Sequence, residues 1–237
     1  MTKENFFPSR AALITVISAC LIVATFMGLR MVFGLFTDFF VKDLQCTITE
    51  FGLAIGIQML MWGMFAPIFG ALADKIGSAK VTIIASFFVA LGIYLLYSGP
   101  NTGIFFQINL GLLIGIGLGG TAISIQIAAV GKHFPNKTRG MAIGIVVAMA
   151  SIGYFFSPIY TKFALSTYGW EKTLNTYLYF VLFGVIAAIF LREVKKEKNI
   201  NGTSEADNQT LIEALKEALN HKGYILLTIG FFVCGFN

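Results

Sequence analysis

Charge is what this sequence has least of. Of its 237 residues only 12% are Asp, Glu, Lys or Arg, against roughly 25% in an average soluble domain. Water is therefore not its main solvent, and the 57% hydrophobic content and mean hydropathy of +0.79 agree. Cysteine is scarce as well. Cys20, Cys46 and Cys234 have neither paired nor ligand-like spacing, and two lie inside apolar runs, which excludes a disulfide framework and a metal site. The two histidines, His133 and His221, stand in loops without Cys or acids at ligand spacing, and no Ser, His and Asp set or phosphate-binding loop is visible. Enzyme chemistry and cofactor binding thus have little to work with. A net charge of +5 could suit nucleic acid, but the charges sit in loops rather than along one face, which removes that partner.

Long apolar runs are what the sequence does have. A hydrocarbon core about 30 Å thick needs about 20 apolar residues per helix, and six stretches meet it. Span 1 runs from about Ala11 to Phe40, long enough to tilt. Span 2 covers about Phe51 to Leu72 and span 3 about Val81 to Tyr97, before the turn chemistry of Ser98, Gly99, Pro100 and Asn101. Span 4, Gly103 to about Val130, carries Gly111, Gly115, Gly117, Gly119 and Gly120, small residues that let helices approach closely in lipid. Span 5 is about Gly140 to Ala164. Tyr168, Gly169 and Trp170 then turn the chain into span 6, about Thr173 to Leu191. The composition changes after that: 192–222 reads as a charged linker ending in an interfacial helix, with Thr210 and Glu213 at capping-box spacing and Leu211, Leu215 and Leu219 on one stripe. A seventh apolar run occupies 223–237 and is too short to cross a bilayer. The chain is expected to be the amino-terminal part of something longer.

Orientation follows from the basic residues. With a cytoplasmic amino terminus, that side holds thirteen of the seventeen Lys and Arg and the other side three, with Arg30 inside span 1. Lys3 and Arg10 before an apolar run could open a signal peptide, but the apolar stretch continues past Cys20 to about Phe40, so an uncleaved first span is expected. The protein reads as multi-pass in a plasma (inner) membrane.

Two internal features bear on fold. Phe65-Ala66-Pro67-Ile68-Phe69, ten residues from its Pro to Gly77, recurs as Phe156-Ser157-Pro158-Ile159-Tyr160, eleven from its Pro to Gly169. Copies three spans apart run in opposite directions, which makes a 3+3 inverted repeat. Between spans 2 and 3 lies Gly70-x-Leu72-Ala73-Asp74-Lys75-x-Gly77, a charged turn framed by glycines.

That turn resembles the loop between spans 2 and 3 of the major facilitator superfamily of secondary transporters. Gly28-Leu29-Arg30-Met31-Val32-Phe33-Gly34-Leu35-Phe36 resembles span 1 of its monocarboxylate porter and oxalate/formate exchanger branch. His133-Phe134-Pro135-Asn136-Lys137-Thr138-Arg139-Gly140-Met141-Ala142 resembles that branch's approach to span 5, and Tyr168-Gly169-Trp170 its turn before span 6. Ser78 and Ala79 depart from the basic residues common in the family loop, and span 1 lacks the acidic, tryptophan-containing signature of animal monocarboxylate porters. The resemblance implies an all-α membrane protein, a six-span bundle forming one half of the fold. It also implies that Gly70, Asp74, Lys75, Gly77 and Arg139 belong to a cytoplasmic gate.

Arg30 is the one basic residue deep in an apolar span. Placing it there costs ~3 kcal/mol on insertion scales and ~10 or more for an isolated helix in simulation. Two readings are open. Arg30 faces a central pathway and pairs with a substrate carboxylate, for which its planar fork is suited; or it snorkels outward or pairs with Asp38, eight residues on. About ten apolar residues separate it from the outer end, or about 15 Å at the helical rise. Trp62, Thr121 and Tyr154, with Gln58 and Gln126, are the other mid-span residues suited to line a pathway.

The expected protein is thus a carrier of small organic anions of monocarboxylate type, working by alternating access with a proton or an exchanged anion as coupled partner. A drug or sugar carrier and a half-sized membrane interaction subunit are the alternatives. Without a missing carboxy-terminal half the cleft lacks its second wall, so this polypeptide alone is expected not to transport.

Overall fold

The computed structural model describes residues 7–44, 46–99 and 103–191, and the four helical positions Asn220, Gly223, Ile225 and Leu226. Met1–Val194 and Lys195–Asn237 form separate compact units. The linker, its interfacial helix and the seventh apolar run otherwise lie outside the described residues.

Among the described residues the regular structure is all helical, and five helical segments are long and apolar enough to cross a membrane. They are α1 (Arg10–Asp43), α2 (Ile48–Ile76), α3 (Ser78–Ser98), α4 (Ile104–Gly131) and α5 (Asn136–Ile189). Local chemistry sets their starts. Ser9 Oγ accepts the Ala12 amide at 3.1 Å to cap α1. At α2, Thr47 Oγ1 accepts the Glu50 amide at 3.1 Å while Glu50 Oε2 accepts the Thr47 amide at 2.8 Å. Each bond satisfies a donor that the first helical turn leaves without a backbone partner.

Glycines make the corners. Gly77 (φ 101°, ψ 147°) separates α2 from α3, and Gly169 (φ 79°, ψ 172°) interrupts α5. This region of backbone space is nearly closed to side chains with a Cβ. The break in α5 reverses the chain, because Thr161 Oγ1 and Tyr177 Oη lie 2.6 Å apart and Tyr160 packs on Phe180 at 5.4 Å. On a straight helix those pairs would stand more than ~20 Å apart. Residues 136–168 and 170–189 are therefore two antiparallel arms. The repeated Pro and Gly spacing is matched in the backbone: Pro67 and Pro158 both sit inside helices that end at a positive-φ glycine.

Each end of the bundle is pinned differently. At one end Phe40, closing α1, meets Phe51 at the start of α2, Phe106 at the start of α4 and Trp170 just past the α5 turn, with ring centroids 5.5 to 6.2 Å apart. At the other, the segment between α4 and α5 reaches the start of α1 through Phe134 on Phe7 and through His133 Nε2, 3.3 Å from Thr15 Oγ1.

The main buried cluster runs along α1, α4 and α5, and α4 also wedges between α2 and α3. A Cβ on Gly115 would stand 2.7 Å from the Gln58 carbonyl, and one on Gly117 would stand 2.6 Å from the Ala85 carbonyl. Close packing of this kind is what small residues permit between helices in lipid. α4 is itself irregular, with a π-helical stretch over Gln107–Leu113 and a break where Ala122 turns extended (φ −56°, ψ 147°). The sequence gives no warning of either feature.

Replacing Gly115 by Val should cost about 1–3 kcal/mol of stability through overpacking. Gly144→Ala, whose Cβ would meet nothing within 4 Å, should cost none. Thermal unfolding of the two variants in detergent checks this; equal behaviour would contradict the wedge.

Candidate functional site

Arg30 decides the site. Twenty residues into α1, its side chain turns neither to Asp38 nor outward, but across to α2. The guanidinium carbon lies 4.0 Å from the centroid of the Trp62 ring, and Nη2 donates to Met59 Sδ at 3.3 Å. Met59 and Trp62 are three residues apart on one helix and share a face, so together they make a seat for a flat cation. Stacking on an indole contributes ~0.5–1 kcal/mol at an exposed site and ~2 or more when desolvated; a thioether is a weak acceptor. Among the described residues no carboxylate pairs with the guanidinium. Arg30 Nε and Trp62 Nε1 are both buried, and neither has an acceptor.

The other expected pathway residues lie on α2, α4 and α5 and make separate contacts. Tyr154, on the first arm of α5, donates from its hydroxyl to Met27 Sδ at 3.3 Å, one helical turn before Arg30 on α1. Gly153 beside it packs directly on the Ala24 backbone, which brings α5 and α1 together here. Thr121 is fully buried, and its hydroxyl donates to the Gly117 carbonyl at 3.2 Å at the α4 break. It closes a helix end and makes no bond to Arg30 or Trp62. Gln58, one turn before Trp62, donates to the Leu110 carbonyl at 3.3 Å inside the π-helical stretch, and its own carbonyl oxygen is buried and unpaired. Gln126 donates to Thr82 Oγ1 at 3.0 Å and packs α4 on α3.

The expected gate residues gather at the end of the bundle that holds the start of α1. Asp74 accepts from Lys132 Nζ at 3.2 Å, joining the last turn of α2 to the residue after α4. Arg139, which the sequence groups with Asp74, instead donates from Nε to the Phe134 carbonyl at 3.4 Å. Lys75 is exposed, and Gly70 has open space around it. Met59 and Lys132 are the residues that sequence reasoning missed. Met59 looks like any apolar helix residue, and only its place three before Trp62 could have marked it; Lys132 looks like any loop charge.

Comparison with known proteins follows from this geometry. A family model described as the Major Facilitator Superfamily matches residues 18–237. A protein of Staphylococcus carnosus described as a probable nitrate transporter, NarT, is 26% identical over 159 residues, 66% of this chain and 39% of that protein. Its Staphylococcus aureus counterpart, described in the same words, is 29% identical over 154 residues, 64% of this chain and 38% of that protein. The chain thus spans about two-fifths of the length of the curated relatives it matches. The crystal structure of the POT family transporter PepTSo has the same fold over 79% of this chain and 39% of its own, with a TM-score of 0.60 at 18% identity.

The Asp74 and Lys132 side chains are 70% and 41% exposed, and pairs in water contribute only ~0–1 kcal/mol. Asp74→Asn should therefore lower stability by less than about 1 kcal/mol in detergent unfolding. A larger loss would make the pair a structural tie rather than a contact free to open.

Proposed function

The chain belongs to the Major Facilitator Superfamily, and from that premise we propose that it is half of a secondary transporter for a small monovalent oxyanion of the nitrate type. The observation that carries this reading is the Arg30 guanidinium, turned into the bundle onto Trp62, with a buried Nε–H and, among the described residues, no carboxylate paired with it. A cation held in a low-dielectric interior is stable when an anion visits it. Nitrate and the monocarboxylates expected from the sequence share the chemistry this site addresses, a flat oxyanion of single delocalised charge. The relatives described as nitrate transporters favour the nitrogen oxyanion.

In this reading α1 to α4 and the two arms of α5 make six crossings, with the amino terminus cytoplasmic, in the inner membrane. α2 and α5 are the most exposed of the apolar segments. Leu53, Leu60, Met64 and Ile68 lie exposed along α2, and Phe155, Phe156, Ile159 and Phe163 along α5; such faces suit lipid and a carboxy-terminal half. The anion, seated on Arg30 in this half, is exposed to one side and then the other as the two halves rock. Asp74 and Lys132 act at the cytoplasmic end, where an exposed ion pair can break and reform cheaply in each cycle. Gly77 gives the turn its shape, and Gly70, Lys75 and Arg139 frame it. Tyr154 lines the approach one turn below Arg30, and Thr121 supports the wall from within α4. A proton or an exchanged anion is the coupled partner. The activity is carriage, without a cofactor and without bond chemistry.

Titration of nitrate and formate into the 237-residue chain in lipid nanodiscs tests the reading. Arg30→Gln should weaken binding about 10-fold or more, the loss expected for a hydrogen bond to a charged group. Arg30→Lys, which keeps the charge and loses the fork, should fall between. Unchanged affinity in Arg30→Gln would remove the anion site from this position.

A further inference from the structure

We infer that Trp62 is the second hydrogen-bond donor of the anion site, its indole N–H taking one oxygen of a monovalent oxyanion while Arg30 Nε–H takes another. The inference rests on the function proposed above and adds the ligand's second contact and its charge.

Trp62 already has a packing role, because its ring face carries the guanidinium at 4.0 Å. Packing explains the ring and leaves the nitrogen unexplained. An indole N–H can only donate, and so can every N–H of a guanidinium. Trp62 Nε1 and Arg30 Nε are both buried without an acceptor, and a buried donor left unmet costs about 1–3 kcal/mol. Two such atoms in one stacked pair call for a ligand rich in acceptors. The acceptor that the guanidinium does meet, Met59 Sδ, is weak and is engaged by Arg30 Nη2.

Water is the competing occupant. It could accept from Trp62 and donate to the unpaired carbonyl oxygen of Gln58, one helical turn away. It would leave the positive charge of Arg30 uncompensated, which an anion does not. The charge at the site also limits the ligand. Among the described residues Arg30 makes no ion pair, and it is the one Lys or Arg deep within the apolar spans. A monoanion leaves the pair neutral, whereas a dianion such as sulfate would leave one buried negative charge without a partner.

Indole NMR reads this directly, because the chain has two tryptophans. Trp170 packs edge-on to Phe40 at 5.8 Å at an end of the bundle and serves as the internal reference. In 15N-labelled full chain in nanodiscs, Trp62→Phe identifies the Trp62 resonance by its loss. Nitrate and formate should each move the Trp62 indole signal saturably and leave Trp170 in place. Sulfate at the same concentration should move neither. Trp62→Phe, which keeps an aromatic face under Arg30, should weaken nitrate binding about 10-fold. A Trp62 signal that stays still while nitrate binds and Arg30→Gln abolishes that binding would overturn the inference alone, as the bridging water predicts. Sulfate binding as tight as nitrate would overturn the assigned charge. Absence of any anion binding to the unaltered chain would overturn the proposed function and this inference with it.

Discussion

A guanidinium inside lipid must be held by something, and in this protein the holding groups are an indole face and a thioether. Arg30 sits about 15 Å by the helical rise from the far end of its apolar run. Its seat on Trp62 and Met59 keeps the charge within the bundle and offsets part of the ~3 kcal/mol that insertion costs. Neither group neutralises the charge. A carboxylate partner such as Asp38 would have made the arrangement self-sufficient and left no reason for a ligand. The contacts that are made orient the cation, and the contacts that are missing are what the proposed anion supplies.

The bundle around that cation is tied at two ends by unlike means. At the Trp170 end the ties are mostly buried aromatic rings packed edge to face, with Gln107 Nε2 also donating to the Glu50 carbonyl at 3.0 Å. At the end holding the start of α1 they are mostly polar: Lys132 with Asp74, His133 with Thr15, and Arg139 with a backbone carbonyl. The exposed pair among them, Lys132 with Asp74, exchanges with water at little cost, which suits the second end to a changing interface. α4 links the two ends to the centre. Its glycines bring it against α2 and α3, and its π-helical stretch lies where Gln58 of α2 reaches the Leu110 carbonyl.

Much of the fold was legible because lipid imposes a simple rule on composition. Span limits read from apolar runs fall within a few residues of the helices, and the turns expected at Gly77 and Gly169 are made by those glycines. The glycines of α4 pack as their size implies. The π-helical stretch and the Ala122 break were not legible, since no proline or charge marks them and backbone bond patterns leave no trace in hydropathy. The site was legible in part. Arg30 and Trp62 stood out as rare residues in apolar runs, and the structure brings them together. Thr121 stood out for the same reason, yet its hydroxyl is spent on its own helix. Met59 and Lys132 escaped notice because their types are ordinary where they stand. The sequence resemblance pointed to carboxylates and the curated relatives to nitrate; a flat monoanion is common to both, and composition does not separate them.

The account rests on Arg30 as an anion's seat, and an experimental density map of the protein in a nanodisc containing nitrate tests it most directly. The predicted result is a flat density within hydrogen-bond distance of Arg30 Nε, with the guanidinium still stacked on Trp62. An Arg30 side chain extended to the headgroup layer, with no density at the indole, would contradict it.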